Sequence, residues 1–234
     1  MLNNNISVVV PYHKNSYGLV YTLTMLQNQT VKPSKIIIID TSNDKSGLSI
    51  SKMFAYNDIT IVVVCMKVNI YKAWNEGISL SGQDNVLIIN DDITMPINFI
   101  EILKYSLSQK NSLCFVPKTS SREHHANFIT TVYANKAEGQ ISFSDTDWMP
   151  GFCFLLTREC IEKVGVFNTE KYEIWFGDDD YQDRMKLYGK QNSKTAITLI
   201  NGIFVYHFMG RSYRYQSKEI LKIIAKDRKN YLKL

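Results

Sequence analysis

Short β-branched runs alternate with helix-period segments through residue 116, a pattern that few architectures accept. Ile6 to Val10 is a short β-branched run, broken only by Ser7 and closed by Pro11. Tyr17 to Gln29 places Leu19, Leu23 and Leu26 at helical spacing. Ile36 to Ile39 is a second apolar run, ending in Asp40 and followed by the polar loop TSNDKSG. Ile59 to Val64 predicts a strand, Ile70 to Leu80 a helix with Gly82 just past its end, and Val86 to Ile89 a strand ending in Asn90-Asp91-Asp92. Asn98 to Ser108 reads as an amphipathic helix and Leu113 to Val116 as a strand. Strands without polar alternation are buried on both faces, so the pattern predicts an α/β fold with a mostly parallel sheet between layers of helices.

The alternation stops at Pro117. A polar stretch to Trp148 holds weak strand signals at Ile129 to Tyr133 and Ile141 to Phe143. Gly151 to Thr157 and Ile197 to Tyr206 read as strands, and Arg158 to Val164, Asp178 to Tyr188 and Ser217 to Leu232 as helices. The 234 residues are 45% hydrophobic and 21% charged, which excludes a disordered, collagen-like or disulfide-stapled chain. No apolar run reaches the roughly 18 residues of a membrane span. The start, MLNNN, lacks a basic n-region and predicts no signal peptide. Cys65, Cys114, Cys153 and Cys160 form no CxxC pair and lie in apolar segments, so buried thiols in a reducing compartment are expected. The net charge of +5 is concentrated at the end: from Arg211 onward there are eight Lys/Arg against two Asp/Glu.

Ligands of open parallel sheets bind beyond the carboxyl ends of the strands. Those ends carry Pro11-Tyr12-His13, Asp40 and Asn90-Asp91-Asp92. Adjacent carboxylates repel and are costly to desolvate, a cost that a divalent cation removes; an Asn/Asp-rich turn is the plain alternative. Gly177-Asp178-Asp179-Asp180 suits a helix N-terminus, where Asp180 and Arg184 can pair four apart. That leaves Asp178 and Asp179 as candidate general bases. His207 ends the last strand and could complete a metal site begun by Asp92. His124 and His125 read as exposed loop residues.

Seven stretches in order resemble glycosyltransferase family 2, whose members have the GT-A fold: ISVVVPYHK, IIIIDTSND, NIYKAWNEGI, NVLIINDDITM, MPGFCFLLTRECIEKVGVFN, FGDDDYQDR and VYHFMGRS. The resemblance implies one catalytic domain over residues 1–212, with a nucleotide-binding half (1–116), an acceptor half (117–212) and a basic C-terminal helix (213–234). It implies nucleotide contacts from Pro11, Tyr12, His13, Asp40, Asn69, Asn75, Gly77, Asn90 and Asp91. It implies Mn²⁺ or Mg²⁺ at Asp92 and His207, a base at Asp178 with Asp179 as its rival, and sugar or acceptor contacts from Met149, Gly151, Asp180 and Arg211. Asn90 departs from the family's DxD pattern, and Gly177-Asp178 stands where Glu-Asp is usual. The implied reaction moves a sugar with inversion from a nucleotide-diphosphate donor, UDP being commonest, to an acceptor hydroxyl.

Lys218, Lys222, Lys226, Lys229 and Lys233 form a helical stripe. It reads as a solvated face, a membrane-surface helix for a lipid-linked glycan acceptor, or a contact to DNA. Arg211, Tyr213, Arg214 and Tyr215 would serve a DNA acceptor, as in a phage-type DNA glycosyltransferase. The expected location is cytoplasmic, at the inner membrane face, or in the host cytoplasm for a phage product. Rival readings are a nucleotidyltransferase, which would need a Gly-rich loop after the first strand, and a nucleotide-sugar-binding module without catalysis.

Overall fold

The computed structural model describes residues 4–42, 44–55, 58–119, 140–207 and 218–232. The expected strand at 129–133, the His124-His125 pair and the Arg211–Tyr215 cluster lie outside these residues. Four parallel strands form the first half of the sheet: β1 (Ile6–Tyr12), β2 (Lys35–Asp40), β3 (Thr60–Cys65) and β4 (Asn85–Ile89). β1 lies between β2 and β4, and β3 is the edge. The order therefore reverses at β1, and the crevice beyond the ends of β1 and β4 is the switch point where such sheets bind ligands. Register aligns the carboxyl ends, with Tyr12 beside Asp40 and Asp40 beside Cys65.

The sheet continues through β8 (Cys153–Leu156), which is antiparallel to β4 and to β6 (Ser112–Thr119). β9 (Thr195–His207) runs parallel to β6 and antiparallel to β7 (Ser142–Asp145) and β5 (Ile93–Thr94). Pro117 pairs with Ile200 but Lys118 with Phe204, so residues 201–203 bulge out of the ladder. Gly202, at φ +91°, permits the bend. Beyond it β9 delivers His207 opposite Ile93, just after the acidic turn.

Apolar side chains alternate between two cores. Val8, Val10, Ile36, Ile38, Leu87 and Ile89 pack under α1 (Ser16–Gln27) and α4 (Phe99–Gln109). Val9, Ile37, Ile39, Val86 and Ile88 face α3 (Ile70–Leu80), with Trp74 and Ile78, and the side of α5 (Arg158–Val164) and α6 (Gly177–Gln191). Each such side chain contributes roughly 1.5–3 kcal/mol when fully buried. Two features escape the sequence pattern: α2 (Ser46–Lys52), which begins in the last two residues of the segment read as loop, and the two-residue β5. Cys65 is a correction. It is exposed, because it closes an edge strand, whereas Cys114, Cys153 and Cys160 are buried. The last helix, α7 (Lys218–Leu232), lies against the segment before α6.

Candidate active site

The acidic turn after β4 is tied down on both sides. Asn15, the N-cap of α1, accepts a hydrogen bond from Gly18 N–H and donates Nδ2 to the Asp91 carbonyl at 3.3 Å. A Cβ on Gly18 would stand 2.1 Å from that carbonyl, so only glycine lets the helix approach so closely. Asp91 and Asp92 are both buried. Asp91 Oδ2 has no hydrogen-bond partner among the described residues. Burial, and then the neighbouring Asp92 charge, push the Asp91 carboxyl up to about 7. Asp92 Oδ1 lies 2.9 Å from His207 Nε2, and the His207 ring stacks on Phe152 with centroids 4.0 Å apart.

Phe152 joins this pair to the second acidic group. Its carbonyl accepts from Asn90 N–H at 2.9 Å. The residue before it, Gly151, faces Asp178: a Cβ there would lie 2.3 Å from Asp178 Oδ2. The other oxygen, Oδ1, accepts from the Tyr71 hydroxyl at 3.0 Å. That hydroxyl also accepts from Gly177 N–H at 2.9 Å and has the Ile174 carbonyl as a second acceptor. Burial raises the Asp178 carboxyl above its usual value, against the lowering effect of backbone N–H groups and Tyr71. Asp179 is raised too, by burial and by the charges of Asp178 and Asp183. The preceding Phe176 has φ +64°, a left-handed conformation unusual for a bulky residue. Met149 N–H donates to Gln182 on α6. Asp180 pairs with Arg184 at 3.0 Å as its spacing predicts, and Arg184 also binds the Val164 and Val166 carbonyls. Trp148, just before Met149, and Trp175, just before Phe176, are 50% and 47% exposed.

The residues expected around the nucleotide divide. His13 is exposed and bonds Thr41 through Nδ1. Pro11 and Tyr12 are buried, and the Tyr12 hydroxyl reaches Ser46 at 2.7 Å. Asp40 is fully buried; its oxygens accept from Ser42 and from Gly47 N–H at the start of α2. Asn69 caps α3 by accepting from Lys72 N–H. Asn75 grips Phe167 at both backbone atoms, donating at 2.8 Å and accepting at 2.9 Å. Gly77 lets α3 pack on Val9 of β1. In this structure Asp40, Asn75 and Gly77 therefore have packing partners of their own. Arg211 lies outside the described residues.

The sequence reading passed over Asn15, Gly18, Tyr71, Phe152, Gln182 and Asp227. Tyr71 sits within the quoted NIYKAW stretch, but nothing in its spacing points to a carboxylate 107 positions away. Asp227 carried a faint signal as one of two acids in the basic tail.

The profile of Glycosyl transferase family 2 matches residues 7–165. The chain belongs to this family. A search of curated proteins found no match. Among solved structures, GalNAc-T7 with UDP, GalNAc and Mn²⁺ superposes at a TM-score of 0.71 and 14% identity, over 99% of this chain and 47% of that one. TarS residues 1–349 of S. aureus, in complex with UDP-GlcNAc, superposes at 0.66 and 14% identity, over 97% of this chain and 66% of that one. TarS without a named ligand gives 0.65 and 13%, over 98% and 72%. This family-2 chain thus has the GT-A fold and spans about half the length of GalNAc-T7 and two-thirds of the TarS segment.

Proposed function

We propose that the chain is an inverting glycosyltransferase that moves a sugar from a nucleotide-diphosphate donor, UDP preferred, to an acceptor hydroxyl. One observation carries the reading. The Asp92–His207 pair and the Gly151–Asp178 pair stand next to each other at the sheet end, joined through Phe152. Family membership supports the reaction class, and UDP or UDP-GlcNAc in the GalNAc-T7 and TarS crystals supports the donor.

The donor set fits a hard divalent cation. Among the described residues no group of three or more His, Cys, Asp or Glu side chains is placed to hold a metal ion by itself. Mg²⁺, however, is commonly held by one or two carboxylates with substrate phosphates supplying the rest. Buried Asp91 Oδ2 without a partner is what an acidic turn built for a cation would leave. Asp92 and His207 would hold Mn²⁺ or Mg²⁺, and the ion supplies positive charge for the departing diphosphate. Asp178 removes the proton of the acceptor hydroxyl, which attacks the anomeric carbon from the face opposite the diphosphate. Burial raises its proton affinity above that of a free carboxylate, the direction that favours taking up a proton. Asp179, half-buried one residue on, is the rival base. Exposed Trp148 and Trp175 offer ring faces to a glycan acceptor.

A thermal-shift panel of UDP, GDP, CDP and TDP, with and without Mn²⁺, tests the donor side. A nucleotide at 100 times its Kd should stabilise by roughly 2.7 kcal/mol. Stabilisation by one nucleotide only with metal supports nucleotide binding at this site; no shift by any nucleotide with metal present would count against both the transferase and a nucleotide-sugar-binding module. Asp178→Asn separates those two, since a module loses nothing by it.

Membrane contact is a second reading for α7. Lys218, Lys222 and Lys229 are exposed, whereas Lys226 pairs with Glu173 at 2.7 Å. No helix among the described residues is long and apolar enough to cross a membrane. Salt-sensitive co-sedimentation with anionic vesicles, lost on changing the three lysines to Glu, is the result expected of a surface helix.

A further inference from the structure

Asp227 is an acidic residue on a basic helix, yet it is fully buried. Its Oδ2 accepts from three consecutive backbone N–H groups, those of Glu173, Ile174 and Trp175, at 3.0, 2.8 and 3.1 Å. Charge-assisted bonds of this kind are strong, and a carboxylate serving three amides fixes a turn. The turn leads directly into left-handed Phe176, Gly177 and Asp178. The rest of α7 grips the same region. Asn230 donates to the Lys171 carbonyl at 2.7 Å, the Tyr231 hydroxyl donates to Asp183 at 2.8 Å, and the Tyr231 ring stacks on Phe176. A bulky residue at positive φ persists only when its surroundings hold it there.

We propose that Asp227 is a positioning residue for the transfer reaction: it fixes the 173–175 turn and thereby sets the Asp178 carboxylate against Gly151. The inference rests on Asp178 as the base. It makes the C-terminal helix part of the active site's frame, whatever its outer lysines touch.

The test compares wild type, Asp227→Asn, Asp178→Asn and the double variant. UDP release is followed with Mn²⁺, using whichever of UDP-glucose, UDP-GlcNAc and UDP-GalNAc the wild type turns over fastest. Hydrogen exchange is measured over residues 173–175. Asp227→Asn is expected to lose protection at those amides and to lower kcat about 10- to 100-fold, with the donor KM nearly unchanged. Added to Asp178→Asn, it should lower kcat no further, because both changes disable one device. A purely structural role would instead reduce stability and leave kcat per folded molecule intact. Unchanged kcat in folded Asp227→Asn, or a further loss in the double variant, overturns the positioning role while leaving the base assignment standing. Full turnover by Asp178→Asn overturns both. Should Asp227→Asn not fold, Asn230→Ala and Tyr231→Phe loosen the same helix; unchanged kcat in both overturns the proposal.

Discussion

The backbone of Gly151 approaches the Asp178 carboxylate so closely that a methyl group on Gly151 would stand 2.3 Å from Oδ2. Tyr71 holds the other oxygen, so the carboxylate cannot simply swing aside. Gly151→Ala is therefore expected to lower kcat about 10- to 100-fold, because small displacements of a reacting group have effects of that size. Nucleotide affinity, measured by calorimetry, should stay at the wild-type value.

Tyr71→Phe should move the acid limb of the pH–rate profile. The Tyr71 hydroxyl donates to Asp178 and favours its ionised form, so its loss raises an already raised pKa. The limb should shift to higher pH, and the opposite shift would show that Asp178 is not the group titrating. Stability follows the same sign. The folded-state pKa of Asp178 lies above the usual 3.8, so its contribution is fully present below that value and lost as pH rises through the folded pKa. Asp178→Asn should thus raise Tm near neutrality and leave it little changed at about pH 4.

Asp92→Asn and His207→Ala should each abolish the metal-dependent part of nucleotide stabilisation in a thermal-shift assay. Asp91→Asn removes one of two adjacent buried carboxylates. Without metal it should melt higher than wild type, because the repulsion is relieved. A lower melting point would show that Asp91 is held by contacts to the protein rather than kept for a cation.

Asn75→Ala decides whether Asn75 serves packing or the nucleotide. Its amide makes two hydrogen bonds to the Phe167 backbone. Losing them should destabilise the protein by about 1–3 kcal/mol in denaturant unfolding. If Asn75 serves packing alone, the affinity for UDP with Mn²⁺ should not change; a selective loss of affinity would show that Asn75 serves the nucleotide.

The helices and strands built on apolar periodicity were legible in the sequence, because each buries one or both faces and the pattern records it. The run Ile70 to Leu80 is a helix with those bounds. The short α2 was not legible, since its placement depends on Asp40 receiving Gly47 N–H from across the loop. The acidic turn and Asp178 stood out because buried carboxylates are rare and need a reason. Their partners did not, because Tyr71, Gln182 and Asp227 act across distances in sequence that local pattern does not encode. The apolar run from Gly151 to Thr157 marks a strand, but its antiparallel insertion between β4 and β6, which brings Gly151 and Phe152 to the site, has no local signature.

The bulge at residues 201–203 divides β9 into two stretches with different tolerance for change in length. Side chains alternate faces along a strand, so removing one residue between Ile203 and His207 would turn the imidazole away from Asp92. A loop-out already present can absorb an added or lost residue without disturbing the pairing on either side. Length variants of this chain should therefore accumulate at the bulge and be purged from the three residues between it and His207, 204 to 206.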